Sequence, residues 1–328
     1  MRRGIILLVV ALLVALLLPS LLSDEHTWQR VVRFPLLNML LLLSSVIVGW
    51  VINGVRLRIL IGKSSTLTLG RATAIVMATE FSMCATPAGA GGPVTLCALL
   101  KRQGLPWSRG TAVFAAEHLC DLAFFIGAFL AVGVYTLTQA ISGPFAGWAG
   151  ASLALLGAIT AFLVLGYRYH HGVLLLTGRV LSRLGVKRLV LRRWTKKTVK
   201  FRRSFSEGLR LSGRAWSLAL LLTTGHWLLR ASILYWVLLG MDQPLSWAWA
   251  FLVQMLSMTV GQLSLLPSGA GGTELAAMAM LVPMVGTSTA MAAILLWRFV
   301  TFQFYLMAGG LAFFALVGRT AMRRLLAH

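Results

Sequence analysis

The chain has 328 residues, 58% of them hydrophobic and only 12% charged, and its formal net charge is +22. Soluble domains are roughly a quarter charged and under half apolar, so this composition excludes a pair of soluble domains. It equally excludes a disordered basic tail, which would be poor in apolar residues, and leaves a lipid bilayer as the surrounding medium.

Apolar runs of about 20 residues match the roughly 30 Å hydrocarbon core of a bilayer. The first, Gly4 to Leu22, follows Arg2 and Arg3. It is long for a signal peptide and has no A-x-A-like cleavage site after it, so a retained helix is expected. Leu36 to Val55 is the second. Ala72 to Leu100 follows, interrupted by Pro87-Ala88-Gly89-Ala90-Gly91-Gly92-Pro93. Thr111 to Leu137 and Phe145 to Gly166 are two further spans.

The connector 168–214 then carries fourteen basic residues and one acid among Leu, Val, Phe and Trp194. Within it, Val173–Leu184 and Lys187–Phe205 have the pattern of amphipathic helices lying on a membrane surface. Each Lys or Arg beside anionic lipid contributes about 1 kcal/mol, so anionic lipids are an expected partner. Nucleic acid is not, because no binding fold or aromatic platform accompanies the charge. After the connector come Ala215 to Leu239, then Trp247 to Met284, interrupted by Pro267-Ser268-Gly269-Ala270-Gly271-Gly272, and lastly Thr289 to Leu316.

The Lys and Arg distribution orients these spans. Two lie at the N-terminus, four at Arg56, Arg58, Lys63 and Arg71, and three at Lys101, Arg102 and Arg109. Fourteen more lie in the connector and three at Arg319, Arg323 and Arg324. One topology puts these 26 of the 30 on the cytoplasmic side, with both termini cytoplasmic in a multi-pass inner-membrane protein. Arg30 and Arg33 are left outside, and Arg230 and Arg298 within helices. Basic residues flank Ala72–Leu100 on both sides, so that stretch enters and leaves from the cytoplasm. Its arms are too short for two spans, and a re-entrant hairpin is expected. Trp247–Met284 crosses an even number of times from the outside, as a second re-entrant hairpin or as two full spans.

The two interruptions align at an offset of 180 residues, which also sets His118 opposite Arg298 and Phe124 opposite Phe304. Repeat 1 spans about 35–137 and repeat 2 about 215–316 of a single transmembrane domain, 1–328. Two matching breaks entered from opposite faces indicate inverted-topology repeats whose discontinuous helices meet near the midplane. Half-helix termini there would present free N–H groups to a substrate, which makes Pro87, Gly89, Gly91, Gly92, Pro267, Gly269, Gly271 and Gly272 candidate site residues. The alternative is that the glycines only let helices pack closely.

Glu80, Glu117, Asp121, Glu274, His118, His226, Arg230 and Arg298 lie in or beside apolar segments. An unpaired charge at the membrane centre costs about 2.5–3.5 kcal/mol on an insertion scale, so these residues are expected to pair inside the bundle. Glu117 and Asp121 share one helical face, and Asp121 and Arg298 sit at similar depth. A midplane cluster of Glu117, Asp121 and Arg298 is the expected geometry, either as a structural ion pair or as a substrate site. Glu274, just after Gly272, either caps a half-helix or relays a proton or head group. Glu80 falls near the interface, and His226 and Arg230 serve one packing face. Glu117-His118-x-x-Asp121 lacks the two-His spacing of a zinc helix, and Cys84, Cys97 and Cys120 form no CxxC, so neither metal nor disulfide is expected. No phosphate loop is complete: Gly62-Lys63-Ser64 lacks the upstream glycine, and no cofactor is expected.

Trp50-x-x-Asn53-x-x-Arg56-x-Arg58, Pro87 to Gly92, Glu117-x-x-x-Asp121, Pro267 to Glu274 and Arg298 occur in this order along the chain. With these motifs the chain resembles the flippase-like membrane proteins that share the transmembrane region of lysylphosphatidylglycerol synthase. The resemblance covers nearly the whole chain. It implies a lipid-translocase fold with re-entrant helices, and relatives associated with aminoacylated phospholipids, hopanoids or polyprenyl-linked sugars. It maps Pro87–Gly92, Glu117, Asp121, Glu274 and Arg298 onto central motif positions. Two positions depart from the family pattern: Pro93 stands where many members carry an acid, and His118 where many carry Arg. The synthase's soluble aminoacyl-transferase domain is expected to be absent.

The sequence therefore predicts an all-α polytopic membrane protein that moves an amphipathic lipid between leaflets without itself being an enzyme. The alternatives are a lipid-binding accessory subunit that partners lipid or glycan biosynthesis enzymes and, third, a membrane-embedded transferase.

Overall fold

The computed structural model describes residues 24–62, 66–139, 211–243, 245–262, 264 and 266–325, and all regular structure among them is helical. The expected helices Gly4–Leu22 and Phe145–Gly166, and the surface helices Val173–Leu184 and Lys187–Phe205, lie outside the described residues.

A short helix α1 (Glu25–Val32) opens the described chain, capped by Asp24, whose carboxylate accepts from the Thr27 N–H and hydroxyl, each at 2.8 Å. Helix α2 (Leu36–Ile61) is 26 residues long, about 39 Å at the usual helical rise, and so exceeds the hydrocarbon thickness. Its sequence is mostly apolar, and one side of it is buried, including Leu42, Val46, Trp50, Leu57 and Leu60 together with the polar Asn53 and Arg56. Leu36, Leu37, Leu41 and Ile47 are at least half exposed, as a helix facing lipid must be. Helices α3 (Leu69–Cys84), α4 (Gly91–Arg102) and α5 (Trp107–Gln139) complete the first half.

The second half holds α6 (Gly213–Ala231), α7 (Ile233–Leu239), α8 (Trp247–Gln262), α9 (Gly272–Val285), α10 (Thr287–Arg298) and α11 (Phe304–Leu325). Between α6 and α7 the helix breaks at Ser232, whose hydroxyl donates back to the Leu228 carbonyl and accepts from Trp247 Nε1, both at 2.7 Å. A π-helical turn, Phe299–Gln303, joins α10 to α11 immediately after Arg298. Such turns insert one residue and frequently mark functional positions. Four apolar segments are long enough to cross a membrane: Leu36–Ile61, Trp107–Ala131, Gly213–Leu239 and Thr287–Val317.

The interrupted stretches form two helix pairs, α3–α4 and α8–α9, with arms of 16 and 12 residues and of 16 and 14 residues. None exceeds about 24 Å, short of the roughly 30 Å core. The first arm of the second pair is thus shorter than the run Trp247 to Leu266 suggests, because the helix stops at Gln262 before the Pro–Gly loop. The two loops share a backbone. Ala88 and Ser268 have φ of 49° and 52°, and Gly89 and Gly269 have φ of 69° and 67°. Pro87 and Pro267 meet in an isolated antiparallel bridge, so corresponding residues of the two loops touch one another. The helices α2, α3, α4 and α5 begin within three residues of α6, α8, α9 and α10 at the 180-residue offset.

Packing gathers these elements around a main apolar core in which Trp50, Trp297 and Phe302 are fully buried, beside a smaller cluster around Phe124, Phe129 and Phe251. Helix α2 lies between α3 and α6, and α11 lies on α3, where Phe81 meets Phe313 with ring centroids 5.2 Å apart. Cys84, Cys97 and Cys120 are buried free thiols.

Candidate functional site

Helix α2 carries Trp50, Asn53 and Arg56 at intervals of three, which sets them on one stripe turned into the bundle. The Trp50 ring is stacked on Phe304 and edge-on to Tyr305, at 5.6 and 5.1 Å, and its Nε1 donates to Glu80 Oε2 at 3.0 Å. Asn53 Nδ2 donates to Glu80 Oε1 at 3.3 Å and lies 3.2 Å from the His226 ring. Arg56 donates to Asp121 Oδ1 at 2.7 Å and to Thr223 Oγ1 at 2.9 Å, and Trp227 Nε1 adds a second donor to the same carboxylate oxygen at 2.9 Å. From α6, Arg230 approaches Glu80 Oε2 at 3.6 Å, donates to the Tyr305 hydroxyl at 3.1 Å, and lies over the Tyr305 ring at 4.8 Å.

These groups enclose a cavity of about 420 Å³ between α2, α3, α5 and α6, closed on its apolar side by Met83, Leu122 and Phe125. Glu117, one turn before Asp121, also lines it. Its side chain is almost wholly buried and interacts electrostatically with Arg56, but it makes no hydrogen bond or ion pair among the described residues. Formally the cavity holds three carboxylates, Glu80, Glu117 and Asp121, against two guanidinium groups, Arg56 and Arg230. Two acids are neutralised in place and one is left over. A pocket of this size is in the range that holds a small ligand or a lipid head group.

A second buried ion pair stands apart from the cavity. Arg298 Nε donates to Glu274 Oε1 at 2.6 Å, and both side chains are fully buried. The other Glu274 oxygen accepts from the Gly271 N–H at 2.6 Å, while Arg298 also donates to the Ser268 carbonyl at 3.2 Å and lies over the Phe302 ring. Glu274 thus closes the first turn of α9 and ties it to α10, which is the capping arrangement.

The expected cluster of Glu117, Asp121 and Arg298 is therefore not formed. Asp121 pairs with Arg56 and Arg298 with Glu274, because equal depth along two helices does not fix the direction in which their side chains point. Among the expected site residues, Glu117, His118 and Asp121 line the cavity. His118 is on its exposed rim, with Nδ1 3.0 Å from the Phe114 carbonyl. Pro87, Gly89, Gly91, Gly92, Pro267, Gly269, Gly271 and Gly272 do not line it; they build the two loops at the Pro87–Pro267 bridge. Gly91 N donates to Thr86 Oγ1 at 2.8 Å. Glu80 is not at an interface but inside the cavity, since α3 starts at Leu69 and places it about 17 Å along the helix.

Two contributors escape a run-based reading of the sequence, Asn53 and Arg56, whereas Arg230, expected to pair inside the bundle, does so with Glu80. Arg56 falls just past the apolar run and counts there as a loop cation, yet it is buried in α2. The i, i+3, i+6 spacing of Trp50, Asn53 and Arg56 is the signal that places it inside. No group of three or more His, Cys, Asp or Glu side chains could hold a metal ion among the described residues.

The family model for the lysylphosphatidylglycerol synthase TM region matches residues 5–309. No curated protein matches the chain. With that match across nearly its full length, the chain belongs to the family of the lysylphosphatidylglycerol synthase TM region.

Proposed function

We propose that this membrane protein moves an amphipathic lipid between leaflets, with the head group passing through the central cavity and the acyl chains remaining in hydrocarbon. The observation that carries this reading is Glu117, a carboxylate with no hydrogen-bond partner facing a 420 Å³ cavity whose other acids are paired. A residue kept only for packing would be matched internally, since an unpaired buried charge is costly. At about 15 Å along α5 from Trp107, Glu117 is deep enough to receive a polar group that has left the membrane surface.

In this reading the two Pro–Gly loops are the centres of inverted-topology repeats with re-entrant hairpins. The matched positive φ angles at Ala88/Ser268 and Gly89/Gly269 and the antiparallel contact of Pro87 with Pro267 support it. An antiparallel bridge between corresponding residues is what a local two-fold axis through the bridge produces. The Lys and Arg bias supports cytoplasmic termini in the inner membrane. The chain performs no covalent chemistry in this reading, and movement is either downhill or coupled to a proton carried by Glu117.

The test is leaflet exchange of fluorescent phospholipids in proteoliposomes, comparing the natural chain with Glu117→Gln and Arg56→Gln. Exchange by the natural chain that falls at least about tenfold in both variants is expected if the cavity is the path. Absence of exchange for glycerophospholipid, hopanoid and polyprenyl-phosphate probes would overturn it. Co-purification with a lipid or glycan biosynthesis enzyme would then favour the accessory-subunit reading.

A further inference from the structure

A second polar cavity lies at the other end of α2, remote from the central one. It has a volume of about 620 Å³ and is lined by His26, Arg30 and Arg33 from and beside α1, by Asp242 after α7, and by Ser288 at the start of α10. Pro35 and Asn53 are eighteen residues apart, so about 27 Å separates this cavity from the central one along α2. Its floor is built closely: a Cβ on Gly240 would come within 2.8 Å of the Phe34 ring and 2.7 Å of the Asn38 amide.

The charges here run against the rest of the chain. The basic residues at Arg58, Arg71, Lys101, Arg102 and Arg109 cluster at the opposite ends of α2, α3, α4 and α5. Arg30 and Arg33 are thus exceptions to the bias that orients the spans. Neither guanidinium makes a hydrogen bond or an ion pair among the described residues, and Asp242 is the one acid facing them from the cavity wall. Helix α1 is held in place by its Asp24 cap and by Thr27, which is fully buried, while Trp28 and Val32 are 48% and 81% exposed. A short helix with an exposed Trp and Val beside two free Arg residues has the make-up of a segment resting in the membrane interface.

We propose that this cavity is a phosphate site, in which Arg30 and Arg33 bind the phosphate ester of an anionic lipid head group at that membrane surface. Two guanidinium forks are suited to phosphate oxygens, and His26 and Ser288 supply further polar contacts. Asp242 opposes the anion and limits its affinity, so that a head group is held and released. The site goes beyond the transport reading and stands or falls by binding alone, without any leaflet exchange.

The full chain, purified in neutral detergent and delipidated, is titrated with short-chain phosphatidylglycerol, phosphatidylcholine and glycerol 3-phosphate. Bound lipid is read by native mass spectrometry, and glycerol 3-phosphate is run as a competitor. Phosphatidylglycerol should bind in preference to phosphatidylcholine, and Arg30→Gln/Arg33→Gln should weaken it by about tenfold. Asp242→Asn should strengthen it, a gain that misfolding cannot imitate; Asn tolerates the left-handed φ of 57° at this position. Removing two exposed cations from the other end, in Arg58→Gln/Arg71→Gln, should change affinity by less than about twofold. Competition by glycerol 3-phosphate at similar concentration would assign the site to soluble phosphate esters, and its failure to compete would assign it to the lipid. Equal losses in the two double variants, or no gain in Asp242→Asn, would overturn the proposal.

Discussion

Replacing Arg298 by Met separates the role of the second ion pair from that of the cavity. The substitution removes the 2.6 Å bond to Glu274, the 3.2 Å bond to the Ser268 carbonyl and the contact with the Phe302 face. Met fills much of the same volume, so the cavity term stays small and electrostatics dominates. Glu274 keeps one donor, the Gly271 N–H, but its charge loses its counter-ion at a site with no solvent exposure. Leaving one partner of a buried pair uncompensated costs about 3–5 kcal/mol. The double variant Arg298→Met/Glu274→Gln removes the stranded charge, keeps an acceptor for Gly271, and should recover at least about half of that loss. Unfolding in mixed micelles titrated with a denaturing detergent measures both values. A loss below about 1 kcal/mol for Arg298→Met, or no recovery in the double variant, would refute the assignment of this pair as the fastener of α9 to α10.

Gly54 packs against α3, where an added Cβ would meet Thr73 Oγ1 at 2.5 Å and the Thr73 backbone N at 3.0 Å. Gly54→Val should therefore push α2 from α3 and cost about 1–3 kcal/mol in the same unfolding assay. Ala88 and Ser268 occupy left-handed backbone that favours glycine. Ala88→Gly and Ser268→Gly should each leave stability unchanged or raise it by up to about 1 kcal/mol, against the usual direction for glycine, and a clear loss would contradict the loop geometry.

Four of the expected spans, the two interrupted stretches and their kinship were legible because each rests on a property of the chain itself. Apolar run length reports the hydrocarbon thickness, and Pro–Gly clusters report backbone that cannot remain helical. What faces what was less legible. Arg56 was hidden by its position: it follows the run Leu36–Val55, and a count of flanking charge assigns it to a loop. The helix continues to Ile61, so the guanidinium turns inward to Asp121. Glu80 was misplaced in depth because its helix begins at Leu69 and not at Ala72. Arg298 was given the wrong partner, since its direction is set by the loop carbonyl of Ser268 and the carboxylate of Glu274. Depth follows from the sequence at 1.5 Å per residue. Direction around the helix depends on the neighbours, which are known only after packing.

The two loops share a backbone but not a fastening, and that difference bears on how such a molecule could work. At the 180-residue offset, Glu274 corresponds to Val94 and Arg298 to His118. Val94 is 60% exposed and His118 lies on the open rim of the cavity, so the first half has no counterpart to the buried pair. Its loop is held instead by neutral bonds, Gly91 N to Thr86 Oγ1 and Thr95 Oγ1 to Ser82 Oγ, each 2.8 Å. A neutral hydrogen bond contributes about 1 kcal/mol, whereas breaking the buried pair costs several times more. The second loop is thus tied by charge and the first by neutral bonds, while α3 itself is held by its packing on α2 and α11. Helix α3 brings Glu80 to the central cavity, so the first half supplies the acids that line it and the second half supplies Arg230 against them. In the transport reading, the asymmetry sets the acids that meet a head group, Glu80, Glu117 and Asp121, in the first half and the buried fastening pair in the second.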